Sequence, residues 1–221
     1  MRLAKYGLKE IIRQGILSIL GAACIVALSM IFETKVLLPL ISIPVIWFLF
    51  ILYFFRDPNR SIPEGDNSLV SPADGTVVEI SESEENSFLK TKVKKLGIFL
   101  SLFSVHINRS PCKGKVVYLN YTPGRFLNAG NPDSSRINEN NAVGIETDKC
   151  KMLLRQISGV IARRIVCETK EGDVLEKGEK FGMIKFGSRT EVYLPINSDV
   201  EIKVKIGQKV KAGETVLGVF K

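Results

Sequence analysis

The chain has 221 residues, 45% of them hydrophobic and 24% charged, enough for one domain with an appendage and too apolar for a disordered tail. Its 31 lysines and arginines against 23 aspartates and glutamates leave a net charge of +8, which favours an anionic partner: nucleic acid, a membrane surface or a phosphorylated substrate. The single histidine, His106, excludes a zinc site built on two or three imidazoles, and any histidine base must be this residue. Cys24, Cys112, Cys150 and Cys167 form no CxxC pair and read as reduced thiols of an intracellular face rather than as a disulfide framework.

Residues 15–32 and 36–55 carry no charge, and only Glu33, Thr34 and Lys35 separate them. At about 1.5 Å per residue, a helix of roughly 18 to 20 residues just crosses a hydrocarbon core of about 30 Å, so residues 1–60 are expected to form a membrane-associated helical hairpin. The second apolar segment follows the first at once, which argues against a cleaved signal peptide. Arg2, Lys5, Lys9 and Arg13 precede the pair and Arg56 and Arg60 follow it. By the positive-inside rule both flanks, and with them residues 61–221, face the cytoplasm of a cell membrane. Pro39 and Pro44 interrupt the second segment and leave open a pair of helices lying in one leaflet.

From residue 61 the pattern changes to short runs rich in β-branched and aromatic residues: GTVVEI (75–80), KLGIFLSLFSVHI (95–107), GKVVYLNY (114–121), AVGIET (142–147) and TEVYLPI (190–196). The expected class is α+β, a mostly-β domain over residues 61–221 behind the N-terminal hydrophobic helical hairpin. SESEEN (81–86) and KTKVKK (90–95) read as solvated loop or hairpin faces, and Leu102, Phe103 and Phe126 as the lining of an apolar entrance or, more often for such side chains in β runs, as core. EGDVLEKGEKFGMIKF (171–186) and VKIGQKVKAGETVLGVF (204–220) share a cadence that resembles the hairpins of lipoyl and biotinyl carrier domains. The exposed lysine tip of such a carrier is missing, so the cadence predicts lipoyl-like hairpins as architecture, with a membrane-anchored carrier or adaptor as the rival to an enzyme.

Asp74 lies in a proline and glycine turn, SPADGTV (71–77); His106 ends a β-like run; Gly187 and Ser188 lie between two others. Alone, each has an ordinary structural reading. Together they supply an orienter, a base and a nucleophile if folding brings them together, which spacing cannot show. A serine hydrolase built on the same residues would lack the GxSxG elbow, and no basic stripe interleaved with stacking aromatics supports a nucleic-acid partner.

FFRDPNR (54–60), SPADG (71–75), VHINR (105–109), YTPGRFLNA (121–129), ISGVIARRIV (157–166) and FGSRTEVYLP (186–195) together resemble, in consistent order, the short-chain phosphatidylserine decarboxylases. The likeness runs from about residue 50 to the C-terminus, with one departure in INENN (137–141), where relatives usually carry arginine at the place of Asn140. The resemblance implies a proenzyme that breaks its own Gly187–Ser188 bond, giving a β chain of residues 1–187 and an α chain of residues 188–221 that stay together as a heterodimer. Ser188 would become a covalent pyruvoyl group, with no metal and no external cofactor. That group would form a Schiff base with phosphatidylserine, release CO2 and yield phosphatidylethanolamine, with His106 as base and proton donor and Asp74 as its orienter. Arg109, Arg125, Arg163, Arg164 and Arg189 are available for the lipid phosphate.

Overall fold

A computed structural model describes residues 2–131, 133–160, 164–185 and 187–221. The chain divides into two compact units, one up to Pro58 and the other from Asn59 onward.

In the first unit, β1 (Arg2–Leu3) leads into α1 (Leu8–Ile31), a 3-10 segment over Lys35–Ile41 leads into α2 (Ser42–Phe54), and β2 (Arg56–Asp57) closes the hairpin. β1 and β2 pair antiparallel, Arg2 with Asp57 and Leu3 with Arg56, so the two ends of the hairpin are fastened together. The spans Lys5–Ile31 and Lys35–Phe54 are each long and apolar enough to cross a membrane. The two prolines act differently. Pro39 lies in the 3-10 segment, whereas Pro44 sits in the first turn of α2, where its missing N–H leaves no helical bond unmade.

The second unit is built almost entirely from strands. They are β3 (Ser68–Val70), β4 (Gly75–Glu85), β5 (Thr91–Leu100), β6 (Ile107–Arg109) and β7 (Gly114–Thr122), then a short helix α3 (Ser134–Ile137), β8 (Asn140–Glu146), β9 (Lys151–Ile157), β10 (Ile165–Cys167), β11 (Val174–Leu175), β12 (Lys180–Ile184), β13 (Ser188–Pro195), β14 (Val200–Ile202), β15 (Lys209–Val210) and β16 (Val216–Phe220). Among the described residues, eight strands form one sheet in the order β11-β7-β8-β9-β13-β5-β4-β15, and two three-stranded sheets, β10-β12-β6 and β14-β16-β3, accompany it. The strand pairings of all three sheets are antiparallel.

β13 occupies the centre of the large sheet, between β9 and β5. Side chains alternate across a strand, so Ser188, Thr190, Val192 and Leu194 share one face and Arg189, Glu191 and Tyr193 the other. Val192 and Leu194 belong to the main hydrophobic core with Leu96, Ile98, Leu154 and Phe181. The opposite face packs Tyr193 with Val93, Ala142 and Leu153.

One expectation meets a different arrangement and another is met. The run 95–107 is not one strand: β5 ends at Leu100, Ser104 N donates to Ser101 O at 2.9 Å to make a turn, and β6 starts only at Ile107. SESEEN and KTKVKK are the two arms of the β4–β5 hairpin, with Glu82 opposite Lys94 and Glu84 opposite Lys92, so opposite charges meet across the strands. The shared cadence of 171–186 and 204–220 has a backbone cause. Gly172 and Gly178, then Gly207 and Gly213, all take φ between 77° and 95°, a left-handed conformation that favours glycine, at equal spacing around β11 and β15.

Candidate active site

The turn that ends β5 carries His106 into the interior, where it is fully buried. Its Nδ1 lies 2.9 Å from the carbonyl of Ser104, and Gly187 N donates to its Nε2 at 3.2 Å. An Nε2 that accepts a hydrogen bond must hold its lone pair free, so the ring proton sits on Nδ1 and donates to Ser104 O. The basic nitrogen therefore points at the residue that contributes the carbonyl of the Gly187–Ser188 bond.

Ser188 opens β13 opposite Leu100 of β5, and its side chain is on the core face. Its hydroxyl is buried and, among the described residues, makes no hydrogen bond. A hydroxyl left so costs about 1–3 kcal/mol, and Glu139 Oε2 and Arg155 Nε of the same unit share this state. Gly187 has φ +65°, in the left-handed region, and is half-buried. Its carbonyl oxygen lies against Gly159: a Cβ at position 159 would sit 2.1 Å from Gly187 O and 3.0 Å from Gly187 C. Glycine at 159 is thus required by the approach of the Gly187 carbonyl, a constraint that the motif ISG did not reveal by itself.

Under this floor lies a buried polar row. Asn108 of β6 donates to Thr190 Oγ1 at 3.0 Å, Gln156 of β9 donates to Asn108 Oδ1 at 2.9 Å, and Asn141 of β8 donates to Gln156 Oε1 at 3.0 Å. These bonds tie β6, β8, β9 and β13 together near Ser188, and such a network holds these strands in one register.

Asp74 is turned elsewhere. Its carboxylate accepts from Arg60 Nη2 at 2.9 and 2.7 Å and from Ala212 N at 2.8 Å. The structure brings His106, Gly187 and Ser188 together, while the orienting bond at Nδ1 comes from the Ser104 carbonyl instead of Asp74. Asp74 fastens the SPADG turn to Arg60 and to the loop between β15 and β16. The carbonyl of Pro72 in that turn accepts from Arg109 N at 2.9 Å, so the link reaches β6.

The five arginines also separate. Arg109 is buried and donates to Gly178 O at 2.9 Å; Arg189 is buried and paired with Glu191 at 2.7 Å and with Glu79. Arg125 and Arg164 are exposed, and Arg163, like Phe186, lies outside the described residues. Burial alone would raise the Glu191 carboxyl, but Arg189 and Lys95, with hydrogen bonds from Ser135 and Tyr193, hold it below the usual carboxylate range. Burial and the Glu191 charge together push the Tyr193 hydroxyl upward. Asn140, at the departure from the family pattern, is buried and donates to Asn138 O at 2.9 Å. All four cysteines are free, and burial pushes the Cys112 thiol up to about 12.

The phosphatidylserine decarboxylase family model matches residues 47–218. The phosphatidylserine decarboxylase proenzyme of Carboxydothermus hydrogenoformans is 49% identical over 174 residues, 79% of this chain and 81% of its own length. That of Syntrophus aciditrophicus is 49% identical over 173 residues, 78% and 80% of the two chains, and that of Ehrlichia canis 46% identical over 172 residues, 77% and 75%. With a buried, unbonded serine after a left-handed glycine, and a neutral histidine aimed at that junction, the chain belongs to the phosphatidylserine decarboxylase family.

Proposed function

We propose that the family's reaction, decarboxylation of phosphatidylserine to phosphatidylethanolamine on a pyruvoyl group, is carried in this chain by Gly187, Ser188 and His106. The observation that carries the assignment is the buried Ser188 hydroxyl without a hydrogen bond, beside a His106 whose Nε2 lone pair faces Gly187 at 3.2 Å. His106 takes the hydroxyl proton at Nε2 while Ser104 O steadies the imidazolium through Nδ1. Ser188 Oγ attacks the Gly187 carbonyl carbon, and the amide becomes an ester. Elimination then removes the Ser188 Cα proton to a base and breaks the Cβ–Oγ bond. The Cα–H electron pair becomes the new double bond, leaving a carboxylate on Gly187 and a dehydroalanine at position 188. One water hydrolyses that enamine, ammonia leaves, and a keto group remains at the new N-terminus.

The buried start of β13 suits such a group, because a ketone has no proton to satisfy and no charge to desolvate. When present, it supplies an electron sink for the pair left behind as CO2 departs. His106 is the residue we assign to return a proton to the substrate carbon. Asp74 is assigned a supporting role: it holds the turn whose Pro72 carbonyl bonds β6. Chains 1–187 and 188–221 form the mature heterodimer, and the cationic flanks of the apolar helices support the cytoplasmic face of the cell membrane.

Purified protein run on a denaturing gel tests the assignment. The parent chain is expected as two bands and Ser188→Ala as one inactive band. His106→Ala is expected to slow cleavage by about 10²–10⁴-fold, the usual contribution of a positioned base. An active single-chain parent, or cleavage of Ser188→Ala at the parent rate, would refute it.

A further inference from the structure

Two loops of the β unit meet at Gly187 and a third packs on one of them, and each carries an exposed apolar side chain. In the turn after β5, Leu102 lies beside Gly187, its Cδ2 3.9 Å from where a Cβ would stand, and the next residue, Phe103, is 66% exposed. In the loop after β9, Gly159 abuts the Gly187 carbonyl and its neighbour Val160 is 57% exposed. In the loop after β7, Ala129 Cβ lies 3.3 Å from a Cβ placed on Gly159, and Phe126 and Leu127 are 40% and 36% exposed. This third loop is tied to the second: Leu127 N donates to Asn138 Oδ1 at 2.8 Å, and Asn138 Nδ2 donates to Ser158 O at 2.8 Å. Single exposed apolar residues are normal on any surface, but four large ones on three loops around one reactive bond are not.

The surroundings of these tips select what they touch. Arg125 precedes Phe126, and Arg164 follows the Val160 loop; both are exposed. Apolar tips with cations beside them match an anionic leaflet, which offers hydrocarbon below and phosphate at its surface. A protein partner or a second copy would need a broad complementary face, whereas these are separate tips. A lipid whose reacting carboxyl lies at headgroup level would also have little distance to travel to a junction held at that level.

We propose that Phe103, Phe126, Leu127 and Val160 form a rim that inserts into an anionic phospholipid leaflet around the mouth of the Ser188 site. The inference deepens the assignment of Gly187–Ser188 as the reactive bond and depends on it. The rim sets the depth of the site, so a diacyl substrate enters without leaving the bilayer. It predicts that the rim governs access by bilayer lipid and leaves the chemistry on a freely dissolved headgroup to the residues beneath.

The test uses the full chain in vesicles of phosphatidylserine and phosphatidylcholine. The only tryptophan, Trp47, is replaced by phenylalanine, and one tryptophan is installed by Phe103→Trp, Phe126→Trp or, as a control exposed elsewhere, Ile206→Trp. Lipids brominated along the acyl chain should quench the tryptophans at 103 and 126 and spare the one at 206. In a second arm, Phe103→Ser combined with Phe126→Ser should lower the rate on vesicle phosphatidylserine at least tenfold more than the rate on a short-chain phosphatidylserine kept below its micelle concentration. The variant should still appear as two chains. Unquenched tryptophans at 103 and 126, or equal loss on both substrates, would overturn the rim. A parent chain inactive on both substrates would instead overturn the functional assignment, and the quenching would still decide the rim.

Discussion

Gly159 is the residue whose lack of a side chain lets the Gly187 carbonyl, the proposed point of attack, approach it closely. Adding a methyl group there puts a carbon 2.1 Å from Gly187 O, so Gly187 or the Ser158–Gly159 backbone must move. Overpacking of this kind costs about 1–3 kcal/mol, and if the strain falls on the attack geometry, Gly159→Ala slows cleavage by roughly ten- to a hundredfold. The conversion of one band to two on a time-course gel measures this, and adding hydroxylamine locates the block. Hydroxylamine cuts an accumulated ester but not an amide, so little hydroxylamine-induced cleavage means that ester formation is the slowed step. Parent-rate cleavage in Gly159→Ala would show that the close approach has no bearing on the reaction. At this scale the sequence was only partly legible. The motif context singled out Ser188, Gly187 and His106, yet nothing in VHINR shows that the carbonyl of Ser104 serves Nδ1, because a backbone acceptor leaves no mark on residue choice. Asp74 illustrates the reverse: a carboxylate in a turn is visible, but its partner Arg60 is fourteen positions away and becomes its neighbour only on folding.

β13 carries both the proposed new N-terminus and a buried ion-pair network. Arg189, next to Ser188, is held by Glu191 and Glu79 on the face opposite the core, and Lys95 of β5 lies 3.0 Å from Glu191. Removing one member of a buried pair leaves the other uncompensated, so Glu191→Gln is expected to destabilise the fold by about 3–5 kcal/mol, read as a lower urea midpoint at pH 7. An unchanged midpoint would mean that Arg189 finds equivalent partners. The folded-state pKa of Glu191 is depressed by these cations, so its contribution is fully present at neutral pH. It fades as pH falls below about 4, the ordinary carboxylate value, and on through the folded one. The parent should therefore lose stability on acidification more steeply than Glu191→Gln. The β-like alternation of TEVYLPI made the strand legible, but the ionic face was not, since Arg189, Glu191 and Tyr193 alternate as solvent-facing residues would. Likewise the apolar continuity of KLGIFLSLFSVHI concealed the Ser101–Ser104 turn that delivers His106, and made Phe103 read as core when it is exposed.

The whole β unit explains why a chain cut at its reactive bond would stay assembled. β13 is hydrogen-bonded on both sides, to β5 from Ser188 to Pro195 and to β9 from Arg189 to Tyr193, and β16 completes a second sheet with β3 and β14. The fragment 188–221 is thus woven into both sheets, and its release requires global unfolding. The two chains should co-elute in mild detergent and separate only in denaturant; separation under native conditions would contradict this topology. At this scale the sequence was most legible, because the helical pair follows from charge-free length and the glycine turns flanking β11 and β15 from a repeated spacing. The measurement that bears most directly on the central claim is the intact mass of the small chain from active protein. The account predicts the mass of residues 188–221 less one ammonia, with a carbonyl at the N-terminus that reacts with hydrazides. A small chain beginning with an unmodified serine, or active protein of one unbroken chain, would contradict it.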